Sequence, residues 1–279
     1  MNNNNTKILK VSGKNLDVFF QNLITNDINY LKKQKSVYAC ILSPQGKFLN
    51  DFFIIEKNKS FFIEINKSEI DEFSNVLKKY DLRKTLDVRI QHKLQTIVVL
   101  EKDFMNISKK FQNKKEKEEA LFETFSDPRA DDFFVRCWIN KVFLSRCKYF
   151  LEDNYKEKIE IERIKRHIPN SEIDLEKNKS FILNYGFDSI NAISFDKGCY
   201  VGQENTARQK YRGTKKYSMK LLKRIEGDFP DFNSELRYLD KKIGIMKSSR
   251  GDFGLALIKN DILNKNNEYQ VSSLKFLIS

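Results

Sequence analysis

The sequence predicts an α+β fold of two or three sub-domains, on three observations. Between Leu16 and Trp138, apolar residues recur at helical spacing in some stretches and form short strand-like runs in others. From Tyr217 onward the pattern changes to short strands broken by Gly and Asp turns, as in a small all-β domain. A chain of 279 residues also exceeds the usual size of one core.

In order along the chain, Leu16, Phe19, Phe20 and Leu23 give one apolar helical face, with Ser12 as its predicted cap. Val37 to Leu42 reads as a strand, Pro44-Gln45-Gly46 as a turn, and Phe48 to Ile55 as the returning strand. Phe61 to Ile65 is a further strand. Asn66 and Glu69 then have capping-box spacing for a helix carrying Ile70, Phe73, Val76, Leu77 and Tyr80. Leu86, Val88 and Ile90 alternate as in a half-buried strand, and Thr96 to Leu100 is another. Lys114 to Glu119 is charged throughout and reads as a solvated helix or mobile loop. Asp127-Pro128-Arg129 is a turn, and Phe133 to Trp138 the strand after it. A helix over Ile159 to Arg166 is ended by Ile168-Pro169. The last strands are Met219 to Ile225, Lys242 to Met246, Gly254 to Ile258 and Tyr269 to Leu277.

Composition narrows the function. With 40% hydrophobic residues and 23 Phe the chain is not disordered. No apolar run reaches the roughly 18 residues that span a bilayer. The Asn-rich start lacks the regions of a signal or transit peptide, which favours a cytoplasmic protein. Four scattered cysteines (Cys40, Cys137, Cys147, Cys199) with no Cys-x-x-Cys pair, and only His92 and His167, predict neither a disulfide framework nor a metal site. Net charge is +13, but lysine is abundant everywhere and a solvated surface accounts for most of it. The exception is the stretch from Arg208 to Tyr217, where five cations interleave with Tyr211 and Tyr217 in a pattern able to meet phosphates or stacked bases.

Chemistry concentrates in Ser194-Phe-Asp-Lys197-Gly198-Cys199-Tyr200-Val-Gly202-Gln203-Glu204, followed by Arg208 and Arg212. Two close glycines permit a sharp turn, and cations around Cys199 favour its thiolate, making it the candidate reactive cysteine. The reading open beside this is a glycine-kinked turn with an inert buried thiol.

Lys-Gly-Cys-Tyr-x-Gly-Gln-Glu resembles the signature of the YgfZ family of folate-binding, tRNA-modifying proteins, relatives of the mitochondrial iron–sulfur assembly factors of the Iba type and of the glycine-cleavage T-protein. Phe19 to Ile28, Pro44 to Lys47, Asp127 to Arg129 and Gly254 to Leu257 also match, so the resemblance runs from about Gly13 to Ile258. Glycine is usual in the family where this chain has His167, and Asp174 stands where an aspartate is expected. The resemblance implies a three-domain cloverleaf of the T-protein type around a central cavity, closed by a small C-terminal β-barrel. Residues 1–50 with 150–210 would form a first, discontinuous α+β domain, 51–149 a second, and 211–279 the barrel.

It also implies a tetrahydrofolate cofactor, for which Asn26, Asp27, Tyr200 and Arg208 supply suitable groups. The T-protein's Leu-Asp-Asp stretch reads Leu49-Asn50-Asp51 here, and an amide cannot take up a proton as a carboxylate does. The T-protein's Gly-Glu-Asp-Gly segment is missing, with Asp132-Phe133-Phe134 in its place. Aminomethyl transfer is therefore disfavoured. The resemblance implies an accessory protein for assembly or repair of iron–sulfur clusters that supports tRNA thiomodification indirectly. Its partners would be folate and iron–sulfur enzymes or assembly proteins, with no membrane and a monomeric state. The alternatives are a one-carbon transferase using Cys199 as nucleophile and a tRNA-binding module built on the Lys210 to Lys216 region.

Overall fold

The first strand is one the apolar pattern did not announce. β1 (Thr6–Ser12) precedes α1 (Leu16–Leu23), and Ser12, instead of capping the helix, ends the strand opposite Asp87. Asn15 occupies the cap position in a left-handed conformation with no side-chain cap bond, and Asp17 in the first turn complements the helix dipole. The computed structural model describes residues 5–130, 132–213, 215–262, 268–271 and 274–278. The leader reading, Thr214 of the basic stretch, and residues 272 and 273 of the last predicted strand lie outside these.

The chain divides into two units. The first comprises Met1–Leu42, Leu49–Ile159 and Asn191–Val201. After α1 come β2 (Val37–Leu42), β3 (Phe48–Lys57) and β4 (Ser60–Asn66). These are followed by α2 (Ile70–Tyr80), β5 (Asp87–Ile90) and β6 (Leu94–Leu100). A sheet in the order β2-β3-β4-β1-β5 packs one face against Phe20 and Leu23 of α1 and Phe73 and Leu77 of α2. Each such ring or branched chain contributes about 1.5–3 kcal/mol when fully buried. The predicted Asn66–Glu69 capping box does not form. Asn66 makes no cap bond, a 3₁₀ turn over Lys67–Glu69 leads into α2, and Glu69 is buried, accepting from Asn50 Nδ2 at 3.3 Å.

Beyond β6 lie α3 (Glu101–Ser108), α4 (Lys114–Ala120), β7 (Leu121–Ser126) and β8 (Phe134–Asn140), with β8 central in a sheet β6-β8-β7. The charged run is thus helical, capped by Asn113 accepting from Glu116 N at 2.9 Å. Helix α5 (Asp153–Lys165) begins six residues before its first predicted position, Ile159, because its first turns are mostly polar and carry little apolar signal.

The second unit comprises Ser43–Phe48, Glu160–Ile190 and Gly202–Ser279. It holds α6 (Ser171–Asp174), α7 (Gln203–Tyr211), β9 (Tyr217–Glu226), β10 (Glu235–Tyr238) and β11 (Lys241–Arg250). β12 (Phe253–Lys259), β13 (Glu268–Val271) and β14 (Leu274–Ile278) complete it. These strands form one sheet, β10-β11-β12-β9-β14-β13, that curls into a half-barrel around Leu222, Met246, Ala256 and Phe276. Buried Arg163 donates to the Ile168 carbonyl and to Ser248 Oγ (3.1 Å), and stands 3.7 Å from the buried Asp174 carboxylate. Asp174 also accepts from Ser248 N at 2.8 Å, tying α6 to β11. His167, just past α5, adopts φ 57°, the left-handed conformation that glycine takes most easily.

Candidate functional site

Helix α1 ends at Leu23, leaving carbonyls beyond its last helical donors. Three of these oxygens, from Gln21, Ile24 and Asn26, converge on the Lys197 ammonium at 2.6, 2.7 and 2.8 Å. The lysine is only 8% exposed, and the Tyr200 ring lies 5.1 Å from its nitrogen. Burial pulls the ammonium down to about 8, against the opposing attraction of Asp27. Further bonds fasten the same segments. Asn26 Nδ2 donates to Asn191 O (2.7 Å) and Tyr38 O (2.8 Å), and Thr25 Oγ1 donates to Ala192 O (2.7 Å). Val201 N reaches Asn22 O at 3.3 Å. The signature lysine therefore holds its loop by binding backbone.

On that loop Cys199 is exposed, whereas Cys40, Cys137 and Cys147 are buried. Burial pushes the Cys40 and Cys137 thiols well up, so they stay protonated. Of the two signature glycines, only Gly202 needs to be one, at φ 80°. A Cβ on Gly198 would meet open space.

In the second unit Gly202 starts α7, where Glu204 pairs with Arg208 at 3.3 Å on the solvent side. Asn205 Nδ2 donates to Gln45 O at 2.8 Å. Gly46, at φ 74°, approaches so closely that a Cβ would stand 2.9 Å from both Asn205 Cβ and Gly202 O. The Pro44-Gln45-Gly46 turn and the signature helix, distant in sequence, are thus packed together. Arg208 lines a cleft of about 420 Å³ with Phe181, Asn184, Asn205, Lys216 and Tyr217.

Asn26, Asp27 and Tyr200 belong to the first unit and Arg208 to the second. Asp27 caps the following 3₁₀ turn, accepting from Asn29 N at 2.9 Å. Burial would raise its carboxyl, but bonds from Asn29 and Gln21 and the Lys197 charge outweigh it and hold it low. The Asn26 amide is spent on the backbone, yet Asn26 lines a cleft of about 550 Å³ with Tyr30, Ser36, Asp127, Asp132 and Asn191.

A buried ionic cluster in the first unit was not legible in the sequence. Asp127 accepts from Arg129 (3.0 and 2.8 Å) and from Arg136 (3.0 Å). Arg136 also pairs with Glu64, which accepts from Trp138 Nε1 at 2.6 Å. Burial alone would raise Asp127, but the two guanidinium groups hold it down at about 2. On β3, Asn50 is fully buried, and Asp51 accepts from Tyr38 Oη at 2.6 Å while its other oxygen is buried without a partner. Among the described residues no three His, Cys, Asp or Glu side chains converge as a metal site would require, and no helix is long and apolar enough to cross a membrane.

Comparison with known proteins places this geometry. No protein-family model matches the chain. An iron–sulfur cluster assembly factor IBA57 homolog, mitochondrial, of Neurospora crassa is 25% identical over 241 residues, covering 82% of this chain and 54% of that one. The tRNA-modifying protein YgfZ of Buchnera aphidicola is 27% identical over 227 residues, covering 77% and 70%. The chain is a homologue of the IBA57 and YgfZ proteins. It spans about half the length of the IBA57 relatives it matches. In fold it matches the glycine cleavage system aminomethyltransferase T from Bartonella henselae, with TM-score 0.71 at 11% identity over 98% of this chain and 82% of that one. The expected T-protein fold is thereby established.

Proposed function

We propose that this chain serves the assembly or repair of iron–sulfur clusters and thereby supports tRNA thiomodification, with Cys199 as its working group. The observation that carries the reading is the signature loop, where an exposed thiol sits on backbone clamped by a buried ammonium. The names of the IBA57 and YgfZ relatives point the same way.

Tetrahydrofolate is the cofactor this reading includes, as a carrier for a one-carbon unit. The first-unit cleft supports it by size, since about 550 Å³ lies within the roughly 300–1,000 Å³ of small-molecule sites. It supports it by chemistry too, with the Tyr30 ring as a wall and the Asp132 carboxylate as acceptor for the N–H groups of a pterin edge. Asn26 would shape this cleft; both N–H groups of its amide are already given to backbone carbonyls.

The test is deletion of the gene followed by rescue with wild type or Cys199→Ala, reading radical-type cluster enzymes and thiolated tRNA nucleosides. Wild type restores both and the variant neither; full rescue by the variant overturns the reading. In parallel, iodoacetamide should label Cys199 well before the other three thiols, and tetrahydrofolate should give saturable heat that weakens in Asp132→Asn. No saturable heat at millimolar ligand removes the folate part alone.

A further inference from the structure

The second-unit cleft holds groups that the reading above does not use. It is walled by two aromatic residues, Phe181 and Tyr217, and flanked by two cations, Arg208 and Lys216. One face of Phe181 is occupied by the Lys47 ammonium, 3.2 Å from the ring centre. Three amide side chains, Asn184, Asn205 and Gln209, also line it. Asn205 is committed to the Gln45 carbonyl, but the Asn184 side-chain oxygen is buried with no hydrogen-bond partner, so that amide is not spent on the fold in the same way.

The cations continue beyond the cleft. Arg212 and Lys216 make no ion pair among the described residues, whereas Lys210 pairs with Asp188 at 3.2 Å. Burial lowers the Lys215 ammonium, a cost that the attraction of Asp188 offsets only in part and that a neighbouring phosphate would relieve. Stacking surfaces, edge-reading amides and a line of cations at one place are what a nucleotide requires. The base lies on a ring, an amide meets its polar edge, and the phosphates meet lysine and arginine. A volume of about 420 Å³ is the scale of one nucleotide, not of a folded partner. The basic run that leaves the cleft through Arg212 and Lys215 favours a ligand that continues as a chain.

We infer that this cleft binds one nucleotide of single-stranded nucleic acid, with Tyr217 as stacking platform, Asn184 and Gln209 on the base edge, and Arg208 and Lys216 on the phosphates. This goes beyond the cluster-assembly reading and does not depend on Cys199 or on folate.

The test is fluorescence anisotropy of labelled single-stranded RNA and DNA oligonucleotides with the full chain, titrated over salt. A 5′-mononucleotide, duplex RNA and tetrahydrofolate serve as competitors. Wild type should bind single strands, more weakly as salt rises, and lose little to duplex competitor. Arg208→Gln with Lys216→Gln should flatten the log–log salt slope by roughly 1.4, two phosphates at about 0.7 each. Tyr217→Leu, which keeps an apolar group on β9, should weaken binding about 10-fold at unchanged salt slope. RNA preferred over DNA, or the reverse, identifies the source of the strand. The inference is overturned by no binding at about 50 mM salt, by binding that neither variant changes, by a mononucleotide binding where strands do not, or by tetrahydrofolate displacing the strand one for one.

Discussion

Replacing Lys197 with methionine keeps the aliphatic stem and removes the ammonium, which isolates the carbonyl clamp. Three charge-assisted bonds at 2.6, 2.7 and 2.8 Å are lost. Such bonds contribute about 1.5–3 kcal/mol each. Against them stands the cost of burying the charge. A fall from 10.5 to about 8 corresponds to about 3 kcal/mol, so the intact clamp nets only a few. The variant, however, also leaves three inward carbonyls without their donor, at about 1–3 kcal/mol each. Lys197→Met should therefore destabilise the first unit by about 3–5 kcal/mol. Trp138, the single tryptophan and fully buried in β8, reports unfolding of that unit in urea. The midpoint should fall with an unchanged slope, and Cys199 alkylation should accelerate as the loop comes away. A loss below about 1 kcal/mol, with unaltered alkylation, would refute the clamp.

Other outcomes follow from the buried ion pairs and one tight turn. Asp127 has a folded-state value of about 2 against 3.8 when free, so its contribution is present above 3.8 and is lost as pH falls through about 2. The difference is about 2.5 kcal/mol, to be read as Trp138-monitored stability at about pH 5 and about pH 2 in wild type and Asp127→Asn; equal acid sensitivity in both would contradict it. Arg163→Met leaves the Asp174 carboxylate buried without its cation, 0% exposed, and should cost the second unit about 3–5 kcal/mol, measured by hydrogen exchange of β11 amides. Gly46→Ala adds both a left-handed alanine and contacts of 2.9 Å to Asn205 and Gly202. It should lower stability by at least about 2 kcal/mol in a thermal melt.

The strands and helices with strong periodicity were legible: β2, α1 and α2 stand where the apolar spacing put them. What failed were local rules overruled by tertiary partners. Ser12 has the chemistry of a cap but is held in a ladder to Asp87. Glu69 has capping-box spacing but is drawn inward to Asn50. Glu64 is a lone charge in an apolar strand buried on both faces, and its partners Arg136 and Trp138 stand more than 70 residues later, where no local pattern shows them. Within the signature, sequence proximity makes Lys197 a cation for the neighbouring sulfur. Its binding partners lie more than 170 residues earlier, and no short-range pattern reveals them. His167 shows the reverse: its φ of 57° is the conformation glycine takes most easily, which gives a physical reason for the glycine that the resemblance led one to expect there.

The bonds from Lys197 to the end of α1 span up to 176 residues of sequence. A ribosome adding about 5–20 residues per second needs roughly ten to thirty seconds to cover that distance. From Ile90 onward the nascent amino-terminal part has all five strands of its first sheet but no latch for the open end of its first helix. The latch and the thiol leave the exit tunnel two residues apart, so the sulfur is delivered with the piece that completes its own support.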